Sequence, residues 1–161
     1  MNCSGGRILT DRSVAASACE EQRLAGRTVV FTNGCFDILH KGHIVVLEAA
    51  SREGDYLVVG VNSDCSVRRL KGAGRPVMPL ESRMACLAAI RFVDLVVPFD
   101  EPDPAALVEA LAPSVMVKGG DYRAGEIAGA SSVLSAGGRV VIVPLFPGYS
   151  TSSAIERVGT P

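Results

Sequence analysis

Thr32-Asn33-Gly34-Cys35-Phe36-Asp37-Ile38-Leu39-His40-Lys41-Gly42-His43 is the stretch on which the fold turns. It follows Thr28-Val29-Val30-Phe31, an apolar run with the make-up of a buried strand. It leads into Ile44-Val45-Val46-Leu47-Glu48-Ala49-Ala50, which reads as a helix. Two histidines three residues apart, with Gly42 between them, thus stand where a first strand turns into a first helix. In open parallel sheets that junction is where phosphates bind.

The rest of the chain repeats the alternation. Residues 56–61, 93–97, 114–118 and 139–143 are short apolar runs that predict four more strands. Leu80, Met84 and Leu87 recur at helical spacing over residues 80–88. Asp103 and Pro104 predict the cap and first turn of a helix through Leu111, which Pro113 ends. Weaker helices are expected over Glu126–Ala136 and Ser150–Val158. Strands alternating with helices imply an α/β fold: a Rossmann-like, parallel five-stranded sheet with helices on both faces. Residues 26–161 are expected to form a single domain. Residues 1–25 read as a loose arm, over 1–12, and a short helix, Ser13–Leu24. Residues 62–79 read as a long, irregular, basic loop, and such a loop in a compact domain is usually functional.

Composition removes several functions. The net charge is −1, from 16 basic and 17 acidic residues, so no basic field invites nucleic acid. Aromatics make up 5% and Trp is absent, which disfavours base-stacking platforms. The five cysteines are scattered and form no CxxC pair, so no zinc site is expected and free thiols in a reducing cytosol are. The first 25 residues lack the apolar core of a secretory signal, and no apolar run approaches the ~20 residues of a membrane span. A cytoplasmic protein is expected, with no membrane partner.

A helix start offers unpaired N–H groups and a partial positive charge. His40 and His43 placed there add donors to a bound phosphate, and Gly42 lets a ligand approach the backbone. One histidine alone would be better read as a helix cap. Here both histidines of the chain share one strand–helix junction. Three further segments suit anions. Arg68, Arg69, Lys71 and Arg75 lie in the basic loop; Lys118-Gly119-Gly120-Asp121-Tyr122 ends a strand; Tyr149-Ser150-Thr151 opens the last helix. Asp37 is the near acidic candidate for a metal, but a third ligand is not obvious and no metal site is assigned. Cys35 as a nucleophile is conceivable, though a cysteine beside a strand is more often core.

His40-Lys41-Gly42-His43 matches the HxGH signature of the nucleotidylyltransferase superfamily, and Asn33-Gly34-Cys35-Phe36-Asp37 matches its cytidylyltransferase-like branch. Ser66–Gly72 with Arg75-Pro76, Leu80-Glu81-Ser82-Arg83-Met84, Lys118–Tyr122 and Gly148–Ser152 narrow the likeness. Together they resemble the family of adenylyltransferases that make ADP-heptose from D-glycero-β-D-manno-heptose 1-phosphate, over about residues 27–158. In many bacteria that enzyme is the C-terminal half of a bifunctional kinase–adenylyltransferase. With no kinase portion among these residues, the stand-alone version is expected.

The resemblance implies ATP as the AMP donor, Mg²⁺, pyrophosphate as leaving group, a role in lipopolysaccharide or related glycan precursors, and a homodimer. It implies catalytic roles for His40, His43 and Lys71. Thr32, Asn33, Gly34, Cys35, Phe36, Gly42, His43, Gly119, Asp121, Tyr149, Ser150 and Thr151 would line the nucleotide. Asp37, Arg68, Arg75 and Lys118 would border the sugar phosphate. Two alternatives stay open: a cytidylyltransferase acting on glycerol 3-phosphate or another small phosphate ester, and a non-catalytic nucleotide-binding module.

Overall fold

The computed structural model describes residues 5–144. Six strands form one parallel sheet: β1 (Arg7–Ile8), β2 (Val29–Gly34), β3 (Tyr56–Asn62), β4 (Leu95–Phe99), β5 (Val115–Gly119) and β6 (Arg139–Val143), in the spatial order β1-β4-β3-β2-β5-β6. The helices are α1 (Arg12–Leu24), α2 (Lys41–Ser51), α3 (Asp64–Lys71), α4 (Leu80–Ala88), α5 (Ala105–Leu111) and α6 (Ala130–Ser135). The central strands are buried on both faces, which is why they read as continuous apolar runs rather than alternating ones.

Val29, Phe31, Val58, Leu95 and Met116 point to a core built with Ala15 and Cys19 of α1, Leu107 and Leu111 of α5 and Val133 of α6. Val30, Leu57, Val59, Val96 and Val117 point to the opposite core, with Leu47 and Ala50 of α2 and Leu87 of α4. Each fully buried leucine or valine contributes roughly 1.5–3 kcal/mol. Burial pushes the Cys19 thiol up to about 11, so it behaves as an inert core side chain.

The sheet has six strands, not the five expected, because residues of the supposed loose arm join it. Arg7 and Leu9 donate their N–H groups to Asp94 and Val96 carbonyls at 2.8 and 3.0 Å, and Gly6 donates to Ala88 at 2.7 Å. A Cβ on Gly6 would lie 2.5 Å from the Val93 carbonyl oxygen, so only glycine permits this close docking. Two residues of strand carry no periodicity, which is why β1 escaped the pattern. Asp11 then caps α1 by accepting from the N–H groups of Ser13 and Val14.

Three other expectations are corrected. Nearly half of the supposed loop over 62–79 is α3. Its capping builds it rather than an apolar stripe: Ser63 accepts from Ser66 N–H at 3.0 Å, Asp64 opens it, and Arg68, Arg69 and Lys71 close it, matching the helix dipole. The weak helix over 126–136 is a 3₁₀ turn, Ala124–Glu126, followed by α6, because Gly129 at φ +89° breaks the run. The strand placed at 93–97 starts at Leu95, since the Asp94 carboxylate turns to accept Leu57 N–H at 2.8 Å. The expected helix over Ser150–Val158 lies outside the described residues.

Candidate active site

The strand order reverses between β2 and β5, which continue into opposite halves of the sheet. Ligands of open α/β sheets bind at such a switch point, beyond the carboxyl ends of the strands. Here the two strands part early. Val30 pairs with Val115 and Phe31 with Met116, and the register ends there, whereas β2 stays paired with β3 through Gly34. Beyond that point Lys118 of β5 reaches across, and its Nζ donates to the Asn33 carbonyl at 3.3 Å and to Asn33 Oδ1 at 3.0 Å. A side chain thus takes over where the ladder opens into a crevice.

Lys118 is the charge on that crevice's floor. Burial pushes its ammonium below the usual lysine range, opposed among the described residues by the Cys35 thiol rather than by a carboxylate. Its Nζ lies 6.0 Å from the centroid of the Tyr122 ring. Gly119 follows, and a Cβ there would strike Val46 of α2 at 2.7 Å, so this edge brings β5 and α2 into direct apposition.

His40 is the N-cap residue of α2 in extended conformation, and His43 occupies the first turn. The His40 N–H donates to His43 Nδ1 at 3.3 Å. That leaves His43 Nε2 carrying the ring proton as the outward donor. The two rings stack at 3.8 Å between centroids, and Phe36 packs against His43 at 5.3 Å. His40 Nδ1 is buried and has no hydrogen-bond partner among the described residues. An imidazole nitrogen without a protein partner at a helix start can meet a polar ligand atom.

Burial pushes His43 down to about 4, helped by the neighbouring His40, and burial also lowers His40. Both are neutral at pH 7. The unfolded chain would take up a proton on His43 near pH 6.5, which the folded chain refuses until about pH 4. Folding stability should therefore decline as pH falls through that window, and level off below it as far as His43 is concerned. The full shift corresponds to roughly 3 kcal/mol, less what solvent screening of the half-buried ring removes. In urea melts from pH 7 to 4, His43→Asn should flatten the decline relative to the parent protein; an unchanged slope would show that His43 is not held neutral.

The other cations gather around Cys35, at the end of β2. Burial pushes its thiol up, while Lys71, Arg83, Arg75 and Lys118 all lie near enough to pull it down. The net rise leaves Cys35 a thiol rather than a poised nucleophile. Lys71 is exposed at the end of α3, and Arg68 lies on the exposed side of the same helix. Thr32 and Phe36 are buried, and Asp121 is exposed beyond β5. Tyr149, Ser150 and Thr151 lie outside the described residues.

Asp37 is buried and fully engaged with the segment before α4. Its carboxylate accepts from Val77 N–H at 2.9 Å, Met78 N–H at 2.9 Å and Arg75 Nε at 2.5 Å. Burial alone would raise its pKa, but these partners outweigh it and hold the carboxyl below the usual range. Asp37 therefore fixes where Arg75 sits. In the sequence Arg83 is only part of a motif, yet it is 1% exposed and bonded to four segments around the crevice. Its signal in the sequence was a charge on the face of α4 that also carries Met84 and Leu87.

Among the described residues no helix is long and apolar enough to cross a membrane, and no group of three His, Cys, Asp or Glu side chains is placed to hold a metal ion. The family model described as cytidylyltransferase-like matches residues 31–157. The bifunctional protein HldE of Halorhodospira halophila is 51% identical over 155 residues, covering 96% of this chain and 32% of its own length. Its counterpart in Coxiella burnetii is 48% identical over 151 residues, covering 94% and 32%. The chain thus spans about a third of the curated relatives it matches. Alignment over 96% of the chain takes in most of residues 1–25, so the arm is shared with these relatives. The crystal structure of the lipopolysaccharide core biosynthesis protein from Thermoplasma volcanium superposes with a TM-score of 0.61 at 32% identity, covering 75% of this chain and 98% of that one.

Proposed function

This chain belongs to the cytidylyltransferase-like family, and from that premise we propose that it transfers AMP from ATP to D-glycero-β-D-manno-heptose 1-phosphate, releasing pyrophosphate. The observation that carries the reading is the switch point between β2 and β5, where the start of α2 brings two neutral histidines and the end of β5 a half-buried lysine that has no carboxylate partner among the described residues. Such a site favours a ligand with several negative charges. The sugar 1-phosphate as acceptor, and ADP-heptose for surface glycan precursors as product, rest on the sequence resemblance. Relatedness to HldE proteins and to a lipopolysaccharide core biosynthesis protein supports both.

The chemistry follows from the residues. A phosphate monoester has a second pKa of about 6, so the acceptor oxygen is already anionic at neutral pH and needs no general base. It attacks the α-phosphorus of ATP in line, the bond to the bridging oxygen breaks, and pyrophosphate leaves. Positioning and charge stabilisation are what remains for the protein. His43 would donate Nε2–H to an α-phosphate oxygen, and His40 would meet a neighbouring phosphate. A bound polyanion draws both imidazoles toward protonation, so the donors strengthen as charge develops. Lys71 and Arg75 would neutralise the outer phosphates, and Lys118 with Asn33 would hold the acceptor's phosphate. Thr32, Gly34, Cys35, Phe36, Gly42, Gly119 and Asp121 would shape the nucleotide side.

Among the described residues, side chains suited to a Mg²⁺ cage are not assembled: the crevice presents imidazole and cationic groups, and Asp37 is engaged. Mg²⁺ would enter as part of the substrate, on the triphosphate's own oxygens, as it commonly does. A cytoplasmic location and a homodimer belong to the same proposal.

The family description favours a second reading with CTP as donor, the acceptor then being glycerol 3-phosphate or another small phosphate ester. Pyrophosphate release from ATP, CTP, GTP and UTP, each with heptose 1-phosphate or glycerol 3-phosphate, separates the two. Turnover is expected for ATP with heptose 1-phosphate; preference for CTP would overturn the assignment.

A further inference from the structure

We propose that Arg83 is the positioning residue of this site, a buried guanidinium that holds the histidine-bearing loop and the cation-bearing segments in one register. Its surroundings carry the inference. Arg83 sits on the buried face of α4, beside Met84 and Leu87, where helical spacing calls for an apolar residue. Four of its hydrogen bonds go to four different segments. Nη1 donates to the Cys35 carbonyl at 2.6 Å, in the loop leading to His40, and to the Asn62 carbonyl at 2.8 Å, at the end of β3. Nη2 donates to Asp64 Oδ1 at 2.7 Å, at the start of α3, the helix that ends in Lys71. Nε donates to the Met78 carbonyl at 3.0 Å.

The last bond completes a clamp. Met78 is held from both ends, its N–H by Asp37 and its C=O by Arg83. Asp37 and Arg83 thereby fix the segment carrying Arg75 against the loop carrying His40 and His43. The planar, forked donor set of arginine is what allows one side chain to serve four acceptors; a lysine ammonium has only three donors on a single point. An ordinary ion pair with Asp64 would explain one of these bonds and leave the other three without a purpose. The Asp64 side chain is also 33% exposed, so the buried charge is not there for the pair's sake.

The role rests on the phosphoryl-transfer reading only for its kinetic arm. R83K should lower kcat by about 10²-fold, the scale of a 1 Å misplacement, with KM for ATP moving far less. R83A should regain turnover when guanidinium chloride is added at millimolar concentration, and not with sodium chloride. By hydrogen exchange, the amides of Val77 and Met78 should lose protection in R83K while those of β3 keep theirs. Unchanged exchange at Val77 and Met78 overturns the proposal, as does a kcat loss that simply tracks global loosening. If R83A does not fold, R83K decides alone. If the parent protein transfers no nucleotide to any acceptor, the proposed function fails while the exchange experiment still tests Arg83.

Discussion

His43→Ala is expected to lower kcat by about 10²–10³-fold, the cost of removing one donor aimed at developing charge. Its circular dichroism and melting temperature at pH 7.5 should barely move. The kinetic loss follows from the ring's orientation: with Nδ1 occupied by the His40 N–H, the Nε2 proton is committed outward, and no other imidazole takes that place. The stability result follows from the ring's half-buried position, where it gives up a stack with His40, a tilted contact with Phe36 and one long hydrogen bond from the His40 N–H. His43→Asn should recover part of the rate, because an amide still donates. The experiment is steady-state pyrophosphate release with ATP and heptose 1-phosphate, beside thermal melts. Near-parental turnover in His43→Ala would remove His43 from the chemistry, and a large drop in melting temperature would make it a structural cap instead.

The parts of this molecule that were legible in its sequence are those governed by local rules. β2, β3, β5 and β6 are valine-rich runs because both faces of the sheet are covered, and the first three end at polar or glycine residues where a ligand can reach the backbone. His40, His43 and Lys118 could be placed at one edge because strand ends and helix starts of a parallel sheet all meet there. The parts that were missed depend on contacts distant in sequence. β1 is recognisable only once Gly6 is seen lying against the turn before β4. Asp37 reads as an available carboxylate until Arg75, 38 residues on, is found bonded to it. Arg83 meets the Cys35 carbonyl across 48 residues, and no periodicity encodes that pairing. What the sequence did contain was an anomaly, a charged residue on an apolar helix face, which signals a buried polar hub without saying what it joins.

Lys118→Met should move stability and activity in opposite directions. Lys118 is half-buried, its ammonium hydrogen-bonded among the described residues to Asn33 oxygens alone, and desolvation holds it below its usual pKa. An uncompensated buried charge is a cost to folding, and an apolar side chain of similar length removes it. The melting temperature of the variant should therefore equal or exceed the parent's. A hydrogen bond to a charged group is worth about 1.5–3 kcal/mol, so losing the one Lys118 would make to a substrate phosphate should lower kcat/KM by roughly 10–10²-fold. The loss should fall on KM for the sugar phosphate if Lys118 faces the acceptor, and on KM for ATP if it faces the nucleotide; varying one substrate at saturating levels of the other tells them apart. The competing role is mechanical. Lys118 ties β5 to β2 just where their backbone ladder stops, and if that strap were its purpose the variant would melt lower and keep its rate. The two roles predict different outcomes in both measurements, so one purified variant decides between a ligand for phosphate and a brace for the sheet.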